Sequence, residues 1–539
     1  MTSSDIKEKL IKILTDAGLH FEQFSVFPAA KKEFGDFSTN LFFKLKETAN
    51  RVSIKDLISL VMQDTWMTKH FEKIEEKNGF LNFFLKDTLI YGVIDEILTK
   101  KQTFGKSGCG NNTKVLVEFV SANPTGPLTI AHGRQAAFGE SLARILAFSG
   151  WKVTREYYLN DCGRQMELLG ISLKCRYLQM KGISAEIPEE GYLGEYLKDI
   201  AEKLPDGCEN KDASFFQEIA KQEILNMIRQ DLDQFNVRFD NYFSEKQLRD
   251  SGKVEKIIQQ LKENSLVYEN EGALWFKSTI YGDDKDRVLI KSDGSYTYLA
   301  PDIAYHEDKI KRGYHLLINL WGPDHAGYIP RIKAAVAALG FFPEKLQIII
   351  VQLTTLYRGK VKISMSTRKG QFITLRQLMD EVGPDATKFF FLFRKADSHL
   401  DFDLELAKKK TEENPVYYIQ YAYVRAMHII AFGIEKGFKE NDILRADFSL
   451  LKESQEIEIL KKLKAFPVVV EYAARTLEIS RIAHYILDLA GLFHSYYQKF
   501  RVVDENKKLS CARLGLVQCV HTVMQNGLDL LGISKPEKM

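Results

Sequence analysis

A chain of 539 residues is too long for one ordinary hydrophobic core, so roughly two to four domains are expected. Hydrophobic residues at 45% and charged residues at 27% are the proportions of a soluble globular chain, and no uninterrupted apolar run is long enough to span a bilayer. A net charge of +3 is nearly neutral for this size and does not by itself point to nucleic acid, so any RNA-binding surface must be local.

The N-terminus, MTSSDIKEKLIKIL, has an amphipathic helix pattern with acids inside it, unlike a secretory signal, and a cytoplasmic location is expected. The cysteines, Cys109, Cys162, Cys175, Cys208, Cys511 and Cys519, form no CxxC pair and read as free thiols. Residues 1 to about 100 mix helical patterns with aromatic-rich strand candidates at 40–43 and 80–85, which suggests a small α/β module. The run KKQTFGKSGCGNNT at 100–113 is the best linker in the chain and puts a domain boundary near 110. From 114 to about 375, strand-like runs (VLVEFV, LLINLWG, LQIIIVQL) alternate with helical ones, as in a parallel sheet wrapped by helices. Residues 165–265 interrupt the alternation with mostly helical patterns and read as an insertion. Beyond about 405, apolar residues recur at three- and four-residue spacing almost to the end, as in a helical bundle. The expected architecture is α/β, with a Rossmann-like parallel-sheet domain at 111–405, an N-terminal α/β add-on at 1–110 and a C-terminal α-helical bundle at 406–539.

Two stretches carry chemistry. At 115–134, the strand-like VLVEFV is broken by Pro124, Gly126 and Pro127, and the chain turns helical from His132. Ala131 and Gly133 would let a ligand approach the backbone at the helix mouth, where unpaired amides favour a phosphate. On topology alone this is any strand-to-helix crossover. At 357–375, Arg358, Lys360, Lys362, Arg368 and Lys369 place five basic groups within twelve residues of a Gly/Ser/Thr-rich loop. Taken alone it is a solvated turn. It also suits a loop whose charge follows a departing pyrophosphate.

The string VEFVSANPTGPLTIAHGRQ resembles the first signature of the class I aminoacyl-tRNA synthetases, in the form found in bacterial-type arginyl-tRNA synthetases, where it reads His-x-Gly-His. The string from 357 onward resembles the segment around that family's KMSKS signature, and matching Gly370 to the family's glycine aligns residues 364–368, SMSTR, with its KMSKR. REYYLNDCGRQM, GDDKDRVLIKSDG, WGPDHAGYIPRIKAA and the ending GLDLLGISKPEKM resemble further family blocks, so the likeness runs over essentially the full length. The chain departs from the pattern at three positions. Thr129 replaces the first histidine, and Ser364 and Thr367 replace the loop lysines. Gly126 stands where some family members carry a compensating lysine. Thr129 donates a hydrogen bond but no charge, so His132, Lys362, Ser366, Arg368 and Lys369 would share the rest of the catalytic work.

The resemblance implies ATP binding by Ala131, Gly133, Gly322, His325 and Met365, with Asp324 alternatively an N-cap. It implies arginine binding by Glu118, Asn123, Tyr298 and Asp302, acceptors suited to a planar fork of N–H donors, although a strand Glu and a lone Tyr also have ordinary surface and core readings. A site of that kind rejects non-forked amino acids by leaving its groups unpaired, so no editing domain is needed. For tRNA, Phe80 and Asn82 would clamp an unpaired base at the elbow, and Tyr417, Tyr421 and Arg425 share one helical face that would stack on anticodon bases; each aromatic also has a core reading. The implied reaction joins L-arginine to an arginine-accepting tRNA through arginyl-adenylate. It uses ATP with Mg2+ and no dedicated protein metal site, in a monomer with no membrane partner. The alternatives are a catalytically weakened paralogue that binds tRNA or arginine for regulation, and a small-molecule adenylyltransferase, for which the helical C-terminal region would have no use.

Overall fold

The computed structural model describes residues 3–29, 32–46, 53–86, 88–363 and 373–539. The chain forms two compact units: Met1–Ser107 with Tyr417–Leu530 and Ser534–Met539, and Gly108–Val416 with Leu531–Ile533.

In the first unit, β1 (Val26–Pro28), β2 (Phe37–Thr39), β3 (Phe71–Lys77) and β4 (Phe80–Leu85) make an antiparallel sheet of order β1-β2-β4-β3. Asn78 and Gly79 join β3 to β4 with φ of 56° and 84°, the double left-handed turn that an Asn-Gly pair adopts at least cost. The expected strand at 40–43 is instead the start of a helix, Leu41–Lys46. Thr39 Oγ1 accepts the Leu41 amide, and the helix buries Leu41, Phe42 and Leu45, a three-to-four-residue spacing that a strand would have scattered over two faces. These side chains join a core with Ile6, Leu10, Leu57, Val61, Phe71 and Phe83, to which Val468 of the helix Ser454–Thr476 also belongs. The C-terminal part of the unit is helical, with Pro415–Glu435, Ser454–Thr476, Ser480–Lys499 and Lys507–Leu531 as its long members. Buried Glu456 there accepts from Arg513 Nε at 2.8 Å and from the Tyr496 hydroxyl at 3.2 Å, so its charge is compensated.

The second unit holds β5 (Lys114–Glu118), β6 (Lys152–Leu159), β7 (Asn241–Ser244), β8 (Val267–Asn270), β9 (Ala273–Phe276), β10 (Arg287–Ile290), β11 (Leu316–Trp321), β12 (Leu346–Ile350), β13 (Thr354–Arg358), β14 (Val361–Lys362) and β15 (Leu400–Asp403). Five of them form a parallel sheet of order β12-β11-β5-β6-β7. The chain leaves β5 toward β6 on one side and later returns to β11 on the other, so a crevice opens at the carboxyl ends of β5 and β11. The helical insertion expected at 165–265 contains Arg164–Met180 and Ala213–Gln234, but it also carries β7, the edge strand of the sheet. Four half-buried residues are too few to show a period, which is why β7 is not legible in the sequence. β8 to β10 form a small antiparallel sheet, and β13 pairs with β14 and β15 in another.

Candidate active site

A cavity of about 980 Å3 lies at the carboxyl ends of β5 and β11. The turn after β5 is strained: Val120 and Ser121 have φ of 66° and 40°, a region that a β-branched residue seldom enters. The Ser121 hydroxyl holds this turn by donating to Glu118 Oε1 at 3.2 Å and accepting the Tyr158 amide at 3.1 Å. Phe119 lies on the helix Ile130–Phe148 at Gly139, where any Cβ would fall 2.1 Å from the ring.

Thr129 is the N-cap of that helix, in a reciprocal capping box with His132. Its hydroxyl accepts the His132 amide, and its own amide donates to His132 Nδ1 at 3.2 Å. A backbone N–H only donates, so Nδ1 is the acceptor and the imidazole proton sits on Nε2. Burial lowers the His132 pKa to about 4, against the opposing pull of Asp324, so the ring is neutral at pH 7. Ala131 and His132 line the cavity. Gly133 does not. Its missing Cβ makes room for Leu375, whose Cδ1 would lie 2.6 Å from it, so this glycine serves packing rather than the approach of a nucleotide. Arg134, fully buried, donates to the carbonyls of Gln352, Leu353, Lys395 and Ser398 and ties the chain around β13 to the helix.

The floor of the cavity is acidic. Glu118 Oε2 pairs with the buried Lys309 at 2.5 Å, and Glu245 is bonded by Arg249 Nε at 2.9 Å. Asp302 forms no ion pair among the described residues, and its Oδ2 accepts from the Tyr328 hydroxyl at 2.6 Å. Burial, reinforced by Glu245 and Glu118 and opposed by Tyr328 and Lys309, pushes the Asp302 carboxyl up to about 7. Of these three acids, one charge is left to be met by a cation. Asn123 also lines the cavity, and its amide donates to Gln165 Oε1 at 2.7 Å. Tyr298 stands at the N-cap of the helix Leu299–Lys311 with 74% of its surface exposed. The tyrosine bonded to Asp302 is Tyr328, which nothing in the sequence pattern singles out.

Gly322 and His325, past the end of β11, also line the cavity. A Cβ at Gly322 would lie 2.5 Å from Oδ1 of the exposed Asp324 side chain, which can swing away. Asp324 is not the N-cap: that place belongs to Gly322, and Asp324 sits in the first turn of Pro323–Tyr328. Lys362 is exposed on β14 and does not line the cavity. Met365, Ser366, Arg368 and Lys369, with Ser364, Thr367 and Gly370, lie outside the described residues.

In the first unit, Phe80 is 37% exposed and meets Phe27 edge-on at 6.0 Å. Asn82 is buried, its Oδ1 accepting from the Ser38 hydroxyl at 2.7 Å, so its amide is engaged inside the sheet rather than presented to a base. Tyr417 and Tyr421 stack at 6.3 Å with 6° between their planes. The Arg425 guanidinium bonds the Tyr421 hydroxyl and lies 4.7 Å from that ring and 4.6 Å from Tyr497, a partner distant in sequence.

Three family models match the chain: the arginyl tRNA synthetase N terminal domain at residues 2–85, the catalytic domain of class I (R) tRNA synthetases at 93–396, and the DALR anticodon binding domain at 419–539. The arginine–tRNA ligase of Syntrophotalea carbinolica is 46% identical over 521 residues, 95% of this chain and 94% of the relative. That of Bacillus pumilus is 43% identical over 550 residues, 99% and 98% of the two chains. The solved arginyl-tRNA synthetase of Thermus thermophilus has the same fold, with a TM-score of 0.79, 22% identity and full coverage of both chains. With the class I (R) catalytic model matching more than half of its length and close relatives aligned along nearly all of it, the chain belongs to the arginyl-tRNA synthetase family.

Proposed function

We propose that the cavity at the ends of β5 and β11 is where this ligase joins arginine to its tRNA. Asp302, a half-buried carboxylate with no ion pair among the described residues, carries the reading: a guanidinium both balances its charge and fills its remaining acceptor sites. Glu118 and Tyr298 complete the receptor for the side chain, and Asn123 meets the α-groups. Neutral His132 offers its Nε2–H to a phosphate oxygen of ATP, and the first turn of its helix adds backbone dipoles. Ala131, Gly322 and His325, with Met365, would serve the nucleotide, while Lys362, Arg368 and Lys369 would neutralise the leaving pyrophosphate and Ser366 would donate a hydrogen bond to it.

The arginine carboxylate attacks the α-phosphorus in line and expels pyrophosphate; a hydroxyl of the terminal tRNA ribose then attacks the activated carbonyl and expels AMP. Positioning and charge supply the acceleration. A magnesium ion entering with the nucleotide would neutralise phosphate charge, and the exposed Asp324 carboxylate, which lines the cavity, offers the hard oxygen it prefers. Residues 1–110 would grip the tRNA elbow through Phe80, with Asn82 as a support inside the sheet; residues 406–539 would read the anticodon through Tyr417, Tyr421 and Arg425. The protein would act as a cytoplasmic monomer. Thr129, whose departure from the family signature motivates a weakened paralogue, builds the cap that orients His132, which favours the active enzyme.

The test is aminoacylation of arginine-accepting tRNA with labelled arginine, ATP and magnesium, run beside lysine and beside pyrophosphate exchange without tRNA. Arginine-specific charging is expected, with exchange only when tRNA is present. Folded protein that binds tRNA and charges nothing would overturn the assignment.

A further inference from the structure

Both oxygens of Glu118 are held before any substrate arrives. Ser121 donates to Oε1 at 3.2 Å and Lys309 to Oε2 at 2.5 Å. Lys309 has no exposed surface and lies 4.1 Å from the Tyr305 ring centroid. A lysine in that position must be compensated fully, because an unpaired buried ammonium is far costlier than a paired one.

Its second bond begins a directed chain. Lys309 Nζ also donates to Asn319 Oδ1 at 3.2 Å, which turns the Asn319 amide nitrogen toward His306 Nε2, again at 3.2 Å. His306 Nδ1 lies 2.8 Å from the Asp302 carbonyl, an acceptor only, so Nδ1 carries the proton and Nε2 accepts from Asn319. Each hydrogen bond along this path joins a donor to an acceptor with one assignment of protons. The chain therefore ties the side chain of Glu118 on β5 to the backbone of Asp302 on the neighbouring helix, the two acids that would flank the guanidinium.

We propose that Lys309 and Ser121 are positioning residues for arginine: they clamp the Glu118 carboxylate from both sides and, through Asn319 and His306, fix its place relative to Asp302. Lys309 also cancels the charge of Glu118, leaving Asp302 to balance a side chain of single positive charge. Lys309 does not line the cavity, and Ser121 lines it beside Glu118. Each acts by keeping the receptor in its binding geometry, so their loss weakens arginine recognition and leaves nucleotide recognition alone. This rests on the reading of Glu118 as an arginine contact.

The experiment compares wild type, Ser121→Ala, Lys309→Met, Glu118→Gln and the Lys309→Met/Glu118→Gln double variant in tRNA-dependent charging, with KM for arginine and for ATP measured separately and folding checked by circular dichroism. Ser121→Ala loses two hydrogen bonds, to Glu118 and from the Tyr158 amide, and is expected to raise the arginine KM about threefold to tenfold. Lys309→Met is expected to raise it by about tenfold or more, with kcat and the ATP KM changed less than about threefold in both. The double variant is expected to be no worse than the poorer single one, since the two groups act through one contact. If Lys309→Met does not fold, Ser121→Ala and the double variant, which removes both buried charges together, carry the test. An unchanged arginine KM in Ser121→Ala and in whichever lysine variant folds would overturn the proposal, as would equal losses for arginine and ATP. Failure of the wild type to charge arginine would instead refute the assignment of function.

Discussion

Arginine binding should release a proton near neutral pH, and the amount follows from Asp302. The free carboxyl is pushed up to about 7 by burial among Glu118 and Glu245, while a bound guanidinium, charged at every accessible pH, requires it ionised. Because the free protein holds the proton below pH 7 and the complex does not, affinity must rise as pH increases through 7 and level off above it. For a pKa of about 7, roughly one Asp302 in eleven is ionised at pH 6 and roughly ten in eleven at pH 8, so the affinity should improve about tenfold across that span. Proton release should fall from about 0.9 per arginine at pH 6 to about 0.1 at pH 8. His132 and His306, held near 4 and 3, stay neutral throughout and contribute nothing. Isothermal titration calorimetry with arginine in buffers of different ionisation enthalpy measures the release directly. Asp302→Asn supplies the reference: weaker binding, flat over the same range. An affinity independent of pH between 6 and 8, with no proton released by wild type, would refute the assignment of Asp302 as the unpaired acid of the pocket.

Three further outcomes are expected. Thr129→Val removes the hydroxyl of the capping box, which should cost about 1 kcal/mol of stability and lower kcat, whereas Thr129→Ser retains both; equal activity of the valine and serine variants would show that the cap does not orient His132. Gly139→Ala drives a methyl into the Phe119 ring, whose atoms lie 2.1 to 2.6 Å from the new carbon, and should destabilise by about 1–3 kcal/mol in thermal unfolding while raising the arginine KM through the adjacent Glu118. An unchanged melting temperature would mean that Phe119 is free to move. Tyr421→Ala breaks the stack with Tyr417 and Arg425 and should raise the tRNA KM about tenfold while leaving arginine and ATP untouched, as read in steady-state charging; a loss for all three substrates would instead mark this stack as part of the helical core.

Much of this protein is written locally. The run from Val115 to Glu118, the break at Pro124 to Pro127 and the helix that follows are strand, turn and helix by composition alone, and the structure places β5 and the helix Ile130–Phe148 there. The Asn78-Gly79 hairpin and the apolar spacing of the long C-terminal helices are equally local, because turn geometry and helical period depend on neighbours a few residues apart. What stayed hidden depends on partners far along the chain. β7 is four residues that become a strand only beside β6, and Leu41 to Leu45 choose a helix because Ile6, Leu57 and Phe83 offer a surface for one face. In the cavity, Glu118 and Asp302 could be picked out by type and resemblance, yet their chemistry came from Lys309, Tyr328, Glu245 and Ser121. Sequence determined which groups can accept a guanidinium and where helices and strands begin; tertiary structure decided which of those acids is already neutralised and which is left for the substrate, since charge and desolvation are properties of everything within a few ångströms in space and of nothing in the local order of residues.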